Sequence, residues 1–336
     1  MTASITAVAN QGVQWTPMIA LLAPGQGAQA PGMLAPWLEL EGAEDRIAAW
    51  SVSAGLNLRH LGTTADAEEI KNTAVTQPLI VALSLLAAEE LLRRLDLPTD
   101  APVAGHSVGE LAAAAIAGVL TADEAVALAA VRGQEMAAAC ALAPTGMSAV
   151  LGGDRDEVTA ALAQLELDAA NHNGTGQIVA AGRLDALTAL AAHKPARTRV
   201  IPLPVAGAFH THFMAPAERA LAEYAAQLTA ENPTRPLLSN ADGQVVSEGA
   251  EMLDRLVAQV TKPVRWDSCM ATLRALHVTA TIELPPAGTL SGLIKRDMRG
   301  TVTLALKTPE DLDKVAGLIA DHSSVASRAD SSGIPA

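Results

Sequence analysis

Aromatic side chains are scarce in this sequence of 336 residues. Two Phe, one Tyr and four Trp make up 2% of the chain, although half of its residues are hydrophobic. A hydrophobic core must therefore be assembled mainly from Ala, Leu and Val, and the abundance of Ala favours helices. The length suffices for one large domain or two domains of moderate size, each with a substantial core.

Cysteine and net positive charge are also lacking. The two cysteines, Cys140 and Cys269, lie far apart in apolar, helix-like segments, which excludes a disulfide framework and fits a reducing compartment. A net charge of −13 argues against non-specific binding of nucleic acid. Neither a signal peptide nor an apolar run long enough to span a bilayer is evident. We therefore expect a cytoplasmic protein that binds neither nucleic acid nor a membrane.

Residues 103–110, with the sequence VAGHSVGE, contain a Gly-x-Ser-x-Gly pattern around Ser107. A short apolar run precedes the pattern and an Ala-rich helical run follows it, as in the strand–turn–helix context of a nucleophile elbow. In such an elbow the serine hydroxyl stands at the N-terminus of a helix, where unpaired N–H groups stabilise an oxyanion. The pattern alone fits equally well a turn whose glycines only permit close packing.

The order of predicted elements indicates an α/β fold in which a small module interrupts a larger domain. Residues 145–204 are predicted to form β-α-β-β-α-β, the order of a ferredoxin-like module. Residues 18–144 and 205–320 are predicted to form the larger α/β domain, which opens with a buried parallel strand. The polar segments 1–17 and 321–336 are predicted to be disordered.

Three helices around the Gly-x-Ser-x-Gly pattern are predicted from their end signals. Because proline favours the first helical position, Thr76-Gln77-Pro78 is predicted to open a long helix that ends near residue 95. Residues 63–71 are predicted to form a short acidic helix. Thr121 and Glu124 form a predicted capping box that opens a helix over residues 122–140.

A glycine-rich loop, Gly25-x-Gly27-x-x-Ala30, follows the first predicted strand and has two interpretations. The spacing occurs in dinucleotide-binding loops. However, Pro31-Gly32 would interrupt the helix that receives the pyrophosphate, and no clear second strand ending in an acidic residue follows. The other interpretation is a loop that brings Gln26 and backbone N–H groups close to a reacting centre.

A serine nucleophile needs a base, and two of the eight histidines are nearly equal candidates. His210 and His212 follow an apolar, glycine-containing run where a strand of the larger domain is predicted to end, and α/β sites gather at such positions. His106 is adjacent to Ser107 in the turn, where neighbouring side chains diverge, so a structural or substrate-lining role suits it better. No acidic residue between Ser107 and His210 obviously ends a strand, which leaves both a dyad and a triad open.

Arg132 lies on an apolar, Ala-rich helix and precedes Gly133. A surface arginine paired with Glu135 or Asp123 would contribute little to stability. A buried guanidinium could instead hold a carboxylate through two parallel hydrogen bonds, and a carboxylated substrate would require such a residue.

Taken together, these segments resemble the malonyl-CoA:acyl-carrier-protein transacylases of bacterial fatty-acid synthesis, over about residues 18–320. Each motif is weak alone, but their order is specific. The motifs are PGQGAQ at 24–29, Gln77-Pro78, GHSVGE at 105–110, Arg132-Gly133, Asn171-x-Asn173, GQxVxAG at 176–182, FHT at 209–211, PVxW at 263–266 and GxLxGLxK at 288–295.

The resemblance implies a fold and a nucleophile–base pair. The fold would be a large α/β-hydrolase-like domain with a mostly parallel sheet, interrupted by a small ferredoxin-like βαββαβ subdomain. Ser107 would be the acylated nucleophile and His210, rather than His212, its general base. Gln26 and the Val108 N–H would form the oxyanion hole.

Three further residues receive roles from the same resemblance. Gln259 matches the residue that orients the histidine through its backbone carbonyl. Arg132 would pair with the malonyl carboxylate. Phe209 accompanies malonyl specificity in related polyketide acyltransferases, because a phenylalanine fills the space that a branching methyl group would need. That discrimination concerns one methyl group, worth about 1–3 kcal/mol. His106, from its place in the turn rather than from the resemblance, is expected to line the substrate site.

The implied reaction moves a malonyl group from malonyl-CoA to the phosphopantetheine thiol of acyl carrier protein through a malonyl-serine, without a metal or redox cofactor, in a monomeric enzyme. Because acyl carrier protein is acidic, we expect a basic docking surface near the site. The candidates are Lys194, Arg197, Arg199, Lys295, Arg296 and Arg299.

The competing interpretations of the function are an acyltransferase of polyketide synthesis, a serine hydrolase or thioesterase with the same elbow, and a non-catalytic scaffold that binds carrier protein.

Overall fold

Two β-sheets organise the computed structural model, which describes residues 18–331, with side chains described through residue 322. The strands are β1 (Met18–Ala23), β2 (Val103–Gly105), β3 (Thr145–Gly152), β4 (Asp168–His172), β5 (Gln177–Arg183), β6 (Thr198–Pro202), β7 (Leu237–Leu238), β8 (Val245–Val246), β9 (Val278–Glu283) and β10 (Val302–Ala305). The α-helices are α1 (Ala43–Ala54), α2 (Leu58–Thr63), α3 (Thr73–Arg94), α4 (Gly109–Ile116), α5 (Ala122–Cys140), α6 (Arg155–Gln164), α7 (Leu184–Ala192), α8 (Ala215–Ala225), α9 (Gly249–Ala258), α10 (Trp266–Ala275), α11 (Thr289–Asp297) and α12 (Leu312–Ser331). The predicted mixed α/β class is confirmed.

The larger sheet has six strands in the order β10-β9-β1-β2-β7-β8. Its neighbouring strands are parallel except for β7 and β8, which are antiparallel. The central strand β1 is buried from Ile19 to Ala23, as expected for a parallel strand covered on both faces. Because Ala23 of β1 lies opposite Gly105 of β2, the loops that follow these two strands begin side by side.

The smaller sheet is separate and antiparallel, in the order β4-β5-β3-β6. Its strands alternate with α6 and α7 as β-α-β-β-α-β, the order predicted for residues 145–204. A small apolar core lies between this sheet and the two helices. The backbone of Val264 is hydrogen-bonded to Ala170 and His172 of this sheet. These bonds connect the smaller sheet to the segment before α10.

Helices α3 and α5 pack so closely that a glycine is needed between them. A Cβ atom on Gly133 of α5 would lie 2.7 Å from the carbonyl oxygen of Thr73 and 3.3 Å from the Cβ of Gln77, both on α3. By length and hydropathy α3 could cross a membrane, so the expectation that no apolar run is long enough was wrong. However, 83% of its most apolar window is buried inside the protein, which is typical of a core helix.

Two predicted helices differ from the observed ones. α3 begins at Thr73, upstream of the predicted proline start, because the Asn72 side chain accepts the Ala74 N–H and caps the helix. The predicted helix over residues 63–71 is wrong except for a short 3-10 helix over Glu69–Lys71, since the Asp66 carboxylate accepts two nearby backbone N–H groups and favours a turn before it. By contrast, the capping box that opens α5 is confirmed.

The last helix is longer than the sequence predicted. α12 extends to Ser331, so the predicted disorder is wrong for residues 321–331. This segment contains neither Gly nor Pro, so no helix-breaking residue interrupts it. The predicted disorder of residues 1–17 and 332–336 falls outside the described residues.

Candidate active site

Ser107 occupies a tight turn between β2 and α4. Its φ of 53° lies in the left-handed region, which non-glycine residues adopt rarely and often at functional sites. A Cβ on Gly105 would lie 2.1 Å from the carbonyl carbon of Gly109, and a Cβ on Gly109 would lie 2.3 Å from the carbonyl oxygen of Ala23. These contacts explain why glycine stands at both ends of the Gly-x-Ser-x-Gly pattern.

Asn240, between β7 and β8, fastens this turn. Its side-chain oxygen accepts the Ser107 N–H at 2.8 Å, and its Nδ2 donates to the Gly105 carbonyl at 2.8 Å. Asn240 is completely buried, so these bonds are protected from competition with water. The strained backbone of the serine is therefore held from a neighbouring part of the larger sheet.

His210 lies against Ser107. The serine hydroxyl donates to His210 Nε2 at 2.8 Å, and His210 Nδ1–H donates to the carbonyl oxygen of Gln259 at 2.8 Å. Because a carbonyl can only accept, Nδ1 carries the proton and Nε2 is free to receive one. Within residues 18–331, the Nδ1 partner is thus a backbone carbonyl and not a carboxylate. His212 is exposed, and its Nδ1 lies 3.7 Å from an Asp168 carboxylate oxygen instead.

The surroundings of His210 keep its imidazole neutral. Burial, and then the positive charge of Arg132, lower the pKa of His210 to about 3. Burial also lowers the pKa of His106 and raises that of Glu110 to about 8. At neutral pH the imidazole of His210 is therefore in the form that can accept a proton.

Arg132 is 2% exposed and contacts only neutral acceptors. Its Nη1 donates to Gln77 Oε1 at 2.6 Å, and its Nη2 donates to Gln259 Oε1 at 2.8 Å and to Ser107 Oγ at 3.3 Å. The close packing at Gly133 is what brings Gln77 within reach of this guanidinium.

The interpretation of Arg132 as a surface residue paired with an acid is wrong. Asp123 binds Arg46 and Trp50 instead, and Arg132 forms no ion pair with any carboxylate in the described chain. Burial lowers the pKa of Arg132 to about 10, which leaves the group charged at neutral pH. A buried cation without a negatively charged partner is costly, so this one is suited to an anion that arrives with the substrate.

Two groups beside Ser107 can donate hydrogen bonds to an oxyanion. The N–H of Val108, at the start of α4, makes no hydrogen bond within the described residues. Gln26 lies in the loop after β1, with its Nε2 3.5 Å from Thr73 Oγ1. This loop approaches the elbow closely, since a Cβ on Gly25 would lie 2.6 Å from the carbonyl oxygen of His106.

A cavity of about 200 Å³ is lined by all of the predicted site residues except Gln259 and extends to the smaller sheet. Its lining includes Gln26, His106, Ser107, Val108, Arg132, Phe209 and His210. His106 turns away from the serine, with its Nε2 2.9 Å from Asn173 Oδ1 near the smaller sheet. Gln259 is not among the lining residues. It contacts the site indirectly, because it accepts hydrogen bonds from Arg132 and from His210.

A larger cavity of about 590 Å³ lies next to the smaller sheet and does not include Ser107. Its two arginines, Arg155 and Arg274, form ion pairs with Asp267 and Asp297. These charges are therefore already compensated. In the part of the chain that the structure describes, no group of three or more His, Cys, Asp or Glu side chains is placed to hold a metal ion.

Sequence reasoning assigned no role to three residues of this site: Gln77, Glu110 and Asn240. The first two belong to motifs that carry the family resemblance, Gln77-Pro78 and GHSVGE, and this was the available signal. Asn240 stands in no such motif. Only the packing of the β7–β8 connection against the elbow reveals it.

Comparisons with known proteins assign the chain to a family. Residues 21–329 match the acyl transferase domain family. The chain is 62% identical over 302 residues to the malonyl CoA-acyl carrier protein transacylase of Mycobacterium tuberculosis, covering 90% of this chain and 100% of that protein. It is 33% identical over 297 residues to the Escherichia coli protein of the same name, covering 86% and 96%.

Solved structures give the same result. The crystal structure of MCAT from Mycobacterium tuberculosis superposes with a TM-score of 0.86 at 61% identity, over 89% of this chain and 99% of that one. An acyl carrier protein S-malonyltransferase from Vibrio cholerae gives a TM-score of 0.83 at 31% identity, over 88% and 99%. The chain therefore belongs to the acyl transferase family, among the malonyl CoA-acyl carrier protein transacylases.

Proposed function

We propose that this protein transfers the malonyl group of malonyl-CoA to the phosphopantetheine thiol of acyl carrier protein, supplying extender units for fatty-acid synthesis. The observation that carries this proposal is the unpaired guanidinium of Arg132, 3.3 Å from the hydroxyl of Ser107. A malonyl thioester has one free carboxylate close to its reacting carbonyl, so the same short acyl group can reach both residues. Arginine is suited to hold that carboxylate through two parallel hydrogen bonds.

In the first half-reaction the malonyl carboxylate binds Arg132 and the thioester carbonyl faces Ser107. The serine oxygen attacks the carbonyl carbon while its proton passes to His210 Nε2. The Val108 N–H and the Gln26 amide stabilise the tetrahedral oxyanion. The carbon–sulfur bond then breaks, and His210 returns the proton to the sulfur of coenzyme A, leaving a malonyl ester on the serine.

In the second half-reaction the thiol of carrier-bound phosphopantetheine takes the place of coenzyme A. It gives its proton to His210, and its sulfur attacks the ester carbonyl. The bond to Ser107 Oγ breaks, and the serine recovers the proton from the histidine. Two substrates that use one covalent intermediate in turn give ping-pong kinetics. Each step is an acyl or proton transfer, so we propose that no metal or redox cofactor takes part.

The competing functions have less support. A serine hydrolase or thioesterase could use the same elbow, but its chemistry does not require an unpaired cation beside the nucleophile. An acyltransferase of polyketide synthesis would need the same malonyl-binding residues, so the difference would lie in its carrier protein. The matched relatives are named malonyl CoA-acyl carrier protein transacylases, which favours transfer to a carrier protein over hydrolysis.

We expect intact-mass analysis to detect one malonyl group on the protein after it is mixed with malonyl-CoA. Adding holo acyl carrier protein should remove this group and produce malonyl-carrier protein. Carrier protein without phosphopantetheine is the control and should leave the adduct in place. Release of free malonate as the main product, with or without carrier protein, would contradict transfer and indicate a hydrolase.

Acylation of Ser107 is expected to be nearly independent of pH between pH 5 and 7. Neither His210, with a pKa of about 3, nor Glu110, with a pKa of about 8, changes charge appreciably in this range. The single-turnover rate with malonyl-CoA, followed by rapid quench and mass analysis, should therefore vary less than about twofold. An imidazole of ordinary pKa would instead slow the reaction about 20-fold between pH 7 and pH 5, and that result would overturn the neutral-base account.

We propose a finer description of the fold and of the molecule's state. The larger unit is α/β-hydrolase-like, and residues 145–204 form a ferredoxin-like subdomain that interrupts residues 18–144 and 205–320. The strand order of the smaller sheet and the position of both helices on one face support the second label. The enzyme acts as a cytoplasmic monomer, without contact to membrane or nucleic acid.

For acyl carrier protein we propose a docking surface made of exposed cations. Lys194, Arg197, Arg199, Lys295, Arg296 and Arg299 are all exposed, and none forms an ion pair with a carboxylate among the side chains that the structure describes, residues 18–322. Arg296 has the strongest support, because its Nη1 donates to Oε1 of Gln177, and Gln177 lines the cavity that contains Ser107. A cation at that position can attract an acidic carrier protein toward the site.

A further inference from the structure

Glu110 is a buried acid that the proposed reaction does not use. Its side chain is 1% exposed and lies behind the elbow, in the first turn of α4. One carboxyl oxygen accepts the backbone N–H of Asn240 at 2.6 Å, and the other accepts a hydrogen bond from Nε2 of Gln259. Such a group must have partners of the right kind, because a buried polar atom left unpaired is costly.

Gln259 is hydrogen-bonded both to the general base, His210, and to the guanidinium of Arg132. Its backbone carbonyl accepts the Nδ1–H of His210, and its side-chain Oε1 accepts a hydrogen bond from Arg132. The side-chain Nε2 faces Glu110 and the carbonyl oxygen of Ser107, the latter at 3.2 Å. One residue therefore contacts both the imidazole and the guanidinium, through different atoms.

A carboxamide has nearly the same shape after a half-turn about its last bond, so its neighbours decide which way it points. In the observed orientation Gln259 presents its oxygen to Arg132, which can only donate. In the reversed orientation the amide NH₂ would face the donors of Arg132, and the amide oxygen would face the carbonyl oxygen of Ser107. Arg132 can only donate and the Ser107 carbonyl can only accept, so they select the observed orientation, and the Glu110 oxygen that accepts from Nε2 holds the amide in it.

We infer that Glu110 is a positioning residue that fixes the side-chain amide of Gln259, and through it the guanidinium that receives the acyl carboxylate. The inference rests on the proposed malonyl transfer. Its effect is specific to a negatively charged acyl group, because the backbone carbonyl of Gln259 holds His210 independently of the side-chain amide. Loss of Glu110 should therefore weaken the use of malonyl-CoA while leaving the reactivity of the serine intact.

The Glu110→Gln variant tests this directly. It keeps the size of the side chain but replaces one acceptor oxygen with a donor, so it cannot accept from both Asn240 and Gln259. We expect the second-order rate of Ser107 acylation by malonyl-CoA to fall about 30-fold. Inactivation by phenylmethanesulfonyl fluoride, an uncharged reagent that needs only the serine and its base, should stay within about threefold of wild type.

Glu90→Gln is the matched control. Glu90 is also a mostly buried acid, but it pairs with Arg93 and Arg94 near the end of α3, away from the site. Both rates should be unchanged in this variant. An unchanged malonyl rate in Glu110→Gln, or equal losses with both reagents, would overturn the positioning role. Failure of the wild-type protein itself to become malonylated would instead reject the proposed function.

A double-mutant cycle tests the route of the effect. Gln259→Ala removes the amide but retains the backbone carbonyl, so adding Glu110→Gln to it should cause no further loss of malonyl acylation. Additive losses would mean that Glu110 acts by another route and would overturn the inference.

If Glu110→Gln does not fold, as judged by thermal unfolding, Glu110→Asp provides the test. It retains both acceptors but withdraws them, and it should lose malonyl acylation selectively; equal losses with both reagents would contradict the inference.

Discussion

Replacing Ser107 with alanine is expected to lower malonyl transfer to acyl carrier protein by about 10⁴-fold or more, because the acyl group then has no covalent carrier. The hydroxyl is the one group that both donates to His210 Nε2 and accepts from Arg132. Alanine is smaller and no less compatible with the tight turn, and Asn240 continues to hold the backbone N–H. The loss should therefore come from chemistry rather than from unfolding.

The measurement is the rate of malonyl-carrier protein formation, followed by mass spectrometry, together with a thermal unfolding curve. Ser148→Ala is the matched control, because Ser148 is also buried but lies in β3 and does not line the cavity. It should retain activity close to that of wild type. Substantial transfer by Ser107→Ala, or a malonyl adduct on that variant, would show that another residue carries the acyl group.

Replacing Arg132 with methionine is expected to lower kcat/KM for malonyl-CoA by about 10³-fold, since the substrate carboxylate would then be buried without a partner. Acylation by acetyl-CoA, which has no such carboxylate, should fall much less, so the preference for malonyl over acetyl should nearly vanish. Methionine has a similar length and no charge. It also removes a buried cation whose desolvation is costly, so the midpoint of thermal unfolding should not fall greatly.

The preference is measured by exposing each variant to equal concentrations of malonyl-CoA and acetyl-CoA and weighing the adducts on Ser107. Arg132→Lys is the informative comparison. It keeps the charge but loses the planar fork that reaches Gln77 and Gln259 together, and it should give an intermediate preference. A parallel loss of malonyl and acetyl acylation in Arg132→Met would mean that the guanidinium supports the site in general and does not select the carboxylate.

Local patterns in the sequence determined the turn at Ser107 and the order of the strands and helices in residues 145–204. The Gly-x-Ser-x-Gly pattern predicts a tight turn because a Cβ on Gly105 would collide with the backbone of Gly109, within the same turn. The alternation of strand and helix signals over residues 145–204 predicts the order of the inserted elements. These features depend on interactions between residues close in sequence. The predicted start of α3 at the proline was wrong, because the Asn72 side chain caps the helix upstream and Pro78 lies inside it.

The tertiary structure decided which side chains meet. His210 and His212 are nearly equivalent in sequence, yet one is buried against Ser107 and the other is exposed. Whether Arg132 was a surface residue or a buried cation depended on how closely α5 approaches α3. Glu110 came to face Gln259 only through the meeting of α4 with the end of α9. The burial of each of these side chains and its hydrogen-bond partners result from contacts between segments far apart in sequence. The spacing of residues within one segment carries no information about such contacts.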